Sequence, residues 1–188
     1  MTSVRQPPSP KLPPELLIGV IIALAVTGIP SLLRQFLDQR QYEAAIQSYK
    51  MAECDQASEQ FDKIIRAFRL VDFGQYIPRA EEKKAECRFF QDAVSDQKEG
   101  KFESALLNYA KVAVYEDSAL LELMRRNLSE LFQKSKIETL ATLKVCNRLG
   151  TLAEKNLLPT SDANLPSLYP ACAKIYEADK NYKSVIST

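Results

Sequence analysis

Histidine is absent from this chain of 188 residues. Without it the chain has no Ser/His triad, no usual general base at neutral pH and none of the commonest metal ligand. Acidic pairs such as Glu81/Glu82 lie in charge-balanced runs, with no glycine-rich phosphate loop or activated nucleophile nearby. We therefore expect no enzymatic activity, no catalytic residues, no cofactor and no metal site.

Strand-forming patterns and an excess of charge are also lacking. Glycine is scarce, with 5 residues, and no run of alternating Val, Ile or Thr predicts a strand. The abundance of Ala, Leu, Glu and Lys favours helices, so the predicted class is all-α. The net charge is +1, from 25 basic and 24 acidic residues. Such a balance gives no field that would attract nucleic acid, and no nucleic-acid partner is expected.

The four cysteines, Cys54, Cys87, Cys146 and Cys172, include no CxxC pair of the kind found in zinc knuckles or thioredoxins. Our first interpretation is that they are buried, unpaired thiols. An even number of cysteines behind an export-type N-terminus leaves disulfides as the alternative. Cys146 and Cys172 are the pair to test first, because neighbouring antiparallel helices would carry them.

The N-terminus predicts a membrane anchor. Residues 1–15 contain five prolines and form a proline-rich tail, which we expect to be extended. Residues 16–33, LLIGVIIALAVTGIPSLL, then run without a charge. As a helix this run would be about 27 Å long, just enough to cross a bilayer. Small residues at a cleavage spacing are missing, and Arg34 follows at once, so we predict an uncleaved single span.

The positive charges on the two sides of this anchor are nearly equal in number, so they hardly determine its orientation. Arg5 and Lys11 precede the span, and Arg34 and Arg40 follow it. A short tail before the anchor and a domain after it are typical of a signal anchor that translocates the domain. We therefore favour the trans side, periplasmic or lumenal, for the soluble part.

Residues 99–117, EGKFESALLNYAKVAVYED, have the pattern of a helical turn followed by a packed helix. Gly100 can end one helix in the left-handed conformation, Ala105 allows two helices to touch, and Tyr109 fills the space beside it. Similar small or apolar positions in second helices are Ala57, Ala105, Leu140 and Val185. The matching positions in first helices, twelve residues earlier, are Ala45, Ala93, Leu128 and Ala173.

Near the C-terminus, Tyr169, Cys172, Ala173 and Tyr176 occupy the positions of the W-x2-L-G-x2-Y signature. Residues 38–188 thus resemble tetratricopeptide repeats, and together with the anchor they resemble membrane-anchored repeat proteins of cyanobacteria. The resemblance implies an α-solenoid of about four irregular helical hairpins after the transmembrane helix. The alternative is an unrelated antiparallel helical bundle.

In the tetratricopeptide family the first helices of successive repeats line a concave groove that binds a partner. For Tyr49, Phe90 and Phe132 the alternative is packing against an inserted helix. The resemblance carries the groove positions over to Tyr42, Ile46, Tyr49, Phe90, Val94, Gln97, Arg125, Ser129, Phe132, Lys174 and Glu177.

The function that this resemblance implies is a membrane-tethered protein–protein interaction module, a scaffold or assembly factor, with a protein or peptide in the groove. Two alternatives remain open. The chain is a self-associating structural subunit that forms homo-oligomers, or it is the N-terminal part of a longer repeat array, because residues 182–188 begin a further helix and stop.

Overall fold

A computed structural model describes residues 18–19, 29–67, 72, 74–115, 117–159 and 165–186. Within these ranges all the regular elements are helices and no strand occurs, which confirms the predicted all-α class for the described part of the chain. From residue 29 onward, the described helices are α1 (Ile29–Lys50), α2 (Cys54–Arg66), α3 (Tyr76–Lys98), α4 (Phe102–Val112), α5 (Leu121–Lys134), α6 (Ile137–Leu140), α7 (Leu143–Glu154) and α8 (Leu165–Ile186).

Helices α1 to α4 form two hairpins in succession, and α2 of the first packs along α3 of the second. Both hairpins turn through one left-handed residue, Ala52 with φ 59° and Gly100 with φ 76°. In each turn the next N–H reaches back across the helix end, from Glu53 to the Ser48 carbonyl at 3.0 Å and from Lys101 to the Asp96 carbonyl at 2.8 Å. These are Schellman-type ends, which satisfy carbonyls left without a helical partner.

The small residues predicted at the helix contacts of these two hairpins are buried. Alanine at such a contact lets helix axes approach closely, whereas a larger side chain would hold them apart. Phe61 and Tyr109, four residues after the small positions of α2 and α4, are buried too. The alanines predicted at these contacts, Ala45, Ala57, Ala93 and Ala105, all have no exposed surface.

Helices α5 to α8 do not continue this arrangement. The predicted third hairpin would pair α5 with the helical residues that follow it, but α7 packs against α4. Helix α8 packs against α7 and the short α6. The matched small positions in this region hold Leu128 and Leu140, and both are buried. The described residues show two hairpins followed by an irregular helical layer, and they do not confirm the predicted α-solenoid of about four irregular hairpins.

The predicted register of α8 is wrong. Leu165, Leu168 and Cys172 form its buried face, while Ala173 and Tyr176 lie on the exposed side. The signature assigned Ala173 to a tight contact, but the apolar spacing of three and four residues places the leucine stripe inward. The side chain of Val185 lies outside the described residues.

Cys146 and Cys172 form a disulfide bond, with Cα atoms 5.5 Å apart. It joins α7 to α8, as the alternative interpretation of the sequence allowed. Cys54 and Cys87 are free and buried. The interpretation as unpaired thiols is thus correct for these two cysteines and wrong for the other pair.

The predicted tail, residues 1–15, and most of the predicted anchor, residues 16–33, lie outside the described residues. No helix in the described ranges is long and apolar enough to cross a bilayer. Helix α1 begins at Ile29 and continues without a break to Lys50, so it contains both the last residues of the predicted anchor and the first repeat helix. Leu33, Phe36 and Leu37 on this helix are each half exposed or more.

Candidate functional site

The phenol of Tyr49 joins three parts of the fold. Its ring is buried on α1, and its hydroxyl donates a hydrogen bond to a carboxylate oxygen of Glu86 on α3. The hydroxyl oxygen of Tyr49 also accepts the backbone N–H of Ala119 at 3.0 Å, and the Ser118 hydroxyl lies 3.2 Å from it. One side chain therefore fixes the segment between α4 and α5 against both α1 and α3.

Glu86 is fully buried, which would be costly for an unpaired carboxylate. Its second oxygen lies 3.0 Å from the Lys83 ammonium, and the Lys83 side chain is only 15% exposed. The ammonium also lies 5.2 Å from the centre of the Tyr49 ring. Burial, and then the bond to Glu86, raise the pKa of Tyr49 well above its usual range, so the phenol keeps the proton that it donates.

The local sequence explains why Glu86 faces inward. It stands on the same stripe of α3 as Cys87, Phe90 and Ala93, and all four are buried. The N-terminus of α3 is held by Asp72, whose carboxylate accepts the backbone N–H groups of two successive residues at 3.0 Å and 2.8 Å. Such capping satisfies donors that the helix leaves free.

An open pocket of about 430 Å³ lies over this polar cluster, between α1, α3 and the segment that follows α4. We call it the Tyr42 pocket. Its walls combine two phenols, two cationic and two acidic side chains, and a valine that is 59% exposed. Lys83 belongs both to the wall and to the buried cluster, so the wall is held from below. The lining residues are Tyr42, Arg79, Glu82, Lys83, Val114, Tyr115 and Asp117.

A second open pocket, of about 520 Å³, lies between the first hairpin turn and the C-terminal half of α3. We call it the Cys54 pocket. The side chain of Gln91 on α3 donates a hydrogen bond to Asp55 on α2 across it. Its lining residues are Ala52, Glu53, Cys54, Asp55, Gln56, Phe90, Gln91, Val94, Ser95 and Lys98.

The structure divides the predicted groove residues instead of bringing them into one surface. Tyr49, Phe90 and Phe132 are at most 5% exposed, so they are core side chains and not an accessible groove. The three rings belong to the hydrophobic core that the helices of the fold share, and no inserted helix is seen against them in the described residues.

The other predicted positions are scattered. Tyr42 lines its own pocket and packs on the Phe61 and Tyr76 rings, with centroids 6.0 Å and 5.5 Å away. Val94 lines the Cys54 pocket. Gln97 accepts the Tyr109 hydroxyl at 2.9 Å and donates to the Asn127 carbonyl at 3.1 Å. Ile46 and Ser129 are partly buried, and Arg125, Lys174 and Glu177 are exposed.

Several residues of the Tyr42 pocket were missed from the sequence. Residues 79–101 carry many charges of both signs, a pattern typical of a solvated helix face, yet Lys83 and Glu86 form an ion pair in the interior. The helical spacing does indicate that Glu86 faces inward, because it lies one turn before Phe90 and two turns before Ala93 on the same face of the helix. Tyr115 and Ser118 lie in the segment after α4, where the sequence shows no helical or strand periodicity that would predict which way their side chains face.

Within the residues that the structure describes, no group of three or more His, Cys, Asp or Glu side chains could hold a metal ion. Comparison of the chain with protein-family models, curated proteins and solved structures finds no match in any of the three.

Proposed function

We propose that the protein is a membrane-tethered interaction module whose Tyr42 pocket binds a peptide segment of a partner protein. The observation that carries this proposal is the buried cluster of Tyr49, Glu86 and Lys83 beneath the pocket. A wall that is already ordered loses little conformational freedom when a partner binds, which favours affinity.

The chemistry of the pocket favours a segment with an acidic and an apolar side chain. Arg79 and Lys83 stand one helical turn apart on α3, a spacing at which both reach one carboxylate. Val114 supplies an exposed apolar contact, and the Tyr42 and Tyr115 rings supply flat surfaces with a polar edge. Glu82 and Asp117 disfavour a purely anionic ligand, so a peptide of mixed character fits better than a phosphate.

The membrane part of the proposal rests on the uncharged residues 16–33 and on the exposed apolar side chains Leu33, Phe36 and Leu37. The Arg40 guanidinium lies 4.5 Å from the centre of the Phe36 ring, a cation–π contact that places a positive charge beside this apolar surface. Alkaline carbonate extraction of cells that express the full chain should leave it in the membrane pellet. Recovery in the supernatant would contradict the tether.

The pocket is tested by a pull-down from detergent-solubilised membranes with the full chain. We expect Val114→Asp and Arg79→Glu to lose the captured partner, because each removes a contact and introduces a repulsion. Lys174→Glu is the matched control, since it reverses an exposed charge on α8, away from the pocket. Equal capture by the pocket variants, or loss only with Lys174→Glu, would contradict the proposal.

A homo-oligomer is the second candidate, favoured by the outer face of α8, where Tyr169 is 49% and Tyr176 is 38% exposed. Light scattering of the detergent-solubilised chain should then give a mass that rises with concentration and falls after Tyr169→Glu. A constant protomer mass would contradict this candidate and leave the pocket proposal as it stands.

A further inference from the structure

A third open pocket, of about 450 Å³, lies between α4 and α7. We call it the Lys144 pocket. Three of its five lining residues are cations and none is acidic. It shares no lining residue with the Tyr42 pocket. The lining residues are Leu107, Lys111, Lys144, Asn147 and Arg148.

The two cations of α7 lack acidic neighbours. Lys144 and Arg148 are exposed and stand one helical turn apart, and no Asp or Glu lies three or four positions from either of them. In the described part of the chain neither side chain forms an ion pair. Lys63 and Lys134, by contrast, each pair with a glutamate one turn earlier. Like charges one turn apart disfavour a helix, and an anion held between them would remove that cost.

The third cation, Lys111 on α4, is positioned by uncharged groups. Its ammonium donates a hydrogen bond to the side-chain oxygen of Asn108 at 2.9 Å and lies 5.0 Å from the centre of the Phe89 ring. Glu103 on the same helix accepts the Thr142 hydroxyl at 2.9 Å, at the start of α7, and does not line the pocket. The charge of Lys111 is therefore directed by its neighbours without being neutralised by them.

Asn147 completes a set of hydrogen-bond donors. Its amide oxygen accepts the Tyr176 hydroxyl at 2.9 Å, so its amide nitrogen is the polar group left for the pocket. Ammonium and guanidinium groups carry no acceptor. Every polar side chain around the pocket therefore offers N–H donors, and the matching ligand carries negative charge and accepting oxygens.

We propose that the Lys144 pocket binds the phosphoryl group of a phosphate monoester. Such a group brings about two negative charges and three accepting oxygens to the three cations, whereas a carboxylate brings less of both. The planar fork of Arg148 suits two phosphoryl oxygens at once, and the ammonium groups of Lys111 and Lys144 suit the remaining one. Leu107 supplies an apolar wall for the carbon part of the ester. This inference is independent of partner binding in the Tyr42 pocket.

The same phosphoryl chemistry has two sources, a soluble phosphate monoester and the headgroup of phosphatidic acid in a membrane. Isothermal titration calorimetry of the full chain in detergent tests them in separate arms, with glycerol 3-phosphate in one and mixed micelles that contain phosphatidic acid in the other. We expect saturable binding in at least one arm. Binding of glycerol 3-phosphate identifies the soluble source, and binding of phosphatidic acid alone identifies the headgroup. The absence of saturable binding in both arms would overturn the proposal.

Each arm has a control ligand. Acetate replaces glycerol 3-phosphate, and phosphatidylcholine, whose phosphate is a diester beside a cation, replaces phosphatidic acid. We expect both controls to bind far more weakly than the monoesters. Equal binding of a control and its monoester would show general attraction of anions or uptake of lipid, and would overturn recognition of the phosphoryl group. This comparison is made on the unmodified chain, so it does not depend on the folding of any variant.

The position of the site is tested with Lys144→Gln and Arg148→Gln, each checked for native helicity by circular dichroism. Each variant should weaken binding of the monoester by about tenfold or more, because each removes a hydrogen bond between charged groups. Lys174→Gln is the matched control, since it removes the same charge from an exposed position on α8 that does not line the pocket. Unchanged affinity in both pocket variants, or an equal loss in Lys174→Gln, would overturn the proposal.

Discussion

The two halves of the described fold pack helices by different means. In α1 to α4, alanines at the contacts and Schellman-type turns bring sequential helices together. In α5 to α8, leucines occupy the matched positions, α7 crosses to α4, and a disulfide joins α7 to α8. Where alanine occupies the contact position, a helix packs closely against the next helix in the sequence. Where leucine occupies it, the helix is too bulky for that contact, and other interactions determine which helix it packs against.

Removal of the disulfide should separate the halves most clearly. The bond closes a loop between residues 26 apart, so we expect Cys146→Ala/Cys172→Ala to lower the free energy of unfolding by about 3 kcal/mol. Hydrogen exchange should show the loss of protection in α7 and α8, with α1 to α4 unchanged. Uniform loss along the chain would mean that the halves unfold as one unit.

The alanine contacts are tested by the same substitution in both halves. Ala93 on α3 is buried and Ala173 on α8 is exposed, although the repeat pattern assigned them equivalent positions. Ala93→Leu should destabilise the fold by about 1–3 kcal/mol through overpacking, and Ala173→Leu by less than about 0.5 kcal/mol. Thermal melting measures both. Equal costs would restore the repeat register for α8 and remove the contrast.

The halves should also differ at alkaline pH. Burial raises the pKa of Tyr109 to about 12, and its hydroxyl donates to Gln97. Below about pH 10, the ordinary pKa of tyrosine, the folded and unfolded states both keep this proton. Between pH 10 and 12 only the unfolded state releases it, so the folded state loses about 1.4 kcal/mol per pH unit.

Tyr109→Phe should remove this contribution to the fall of the unfolding free energy between pH 10 and 12, as measured by urea denaturation at several pH values. The slope is the readout because the lost hydrogen bond changes stability equally at every pH below 10. Tyr169→Phe, at a half-exposed ring on α8, controls for the loss of a hydroxyl. An unchanged slope in Tyr109→Phe would contradict the buried phenol.

The smallest expected effect lies within the irregular half. Arg125 donates from Nε to the Asn156 carbonyl at 3.1 Å and thereby connects α5 to the end of α7. Arg125→Ala should cost about 0.5 kcal/mol, because an exposed hydrogen bond of this kind contributes little. A loss several times larger in chemical denaturation would show that α5 and α7 depend on each other as a true hairpin does.

The sequence predicted the helical class and the contacts of α1 to α4 because those contacts are local. Ala57 and Phe61, or Ala105 and Tyr109, are one turn apart on one helix, and their spacing alone identifies the inward face. The same rule failed at Ala173, where the aromatic signature around Tyr176 competed with a leucine stripe and gave the wrong face.

The candidate site was less predictable because it depends on contacts between distant residues. Tyr49, Glu86 and Ser118 come from three separate segments, and no spacing relates them. A polar residue on a buried stripe, as at Glu86, is the one sign that the sequence offers. The prediction of a groove placed core residues such as Phe90 and Phe132 on the surface. An aromatic residue in the sequence is compatible both with ligand binding and with packing against another helix.

Because α1 runs unbroken from Ile29 to Lys50, the direction in which residues 29–33 face depends on the number of residues between them and the buried part of the helix. On this helix Asp38 faces the interior and Phe36 faces outward. The rotation of the helix about its own axis is therefore set by the residues that pack into the fold. One residue inserted before Arg34 would rotate residues 29–33 by about 100° relative to the rest of the helix and shift them by about 1.5 Å. Seven inserted residues would bring the rotation back to within about 20°. A single-residue insertion therefore turns Leu33 to another side of the fold, whereas a heptad mainly lengthens the helix.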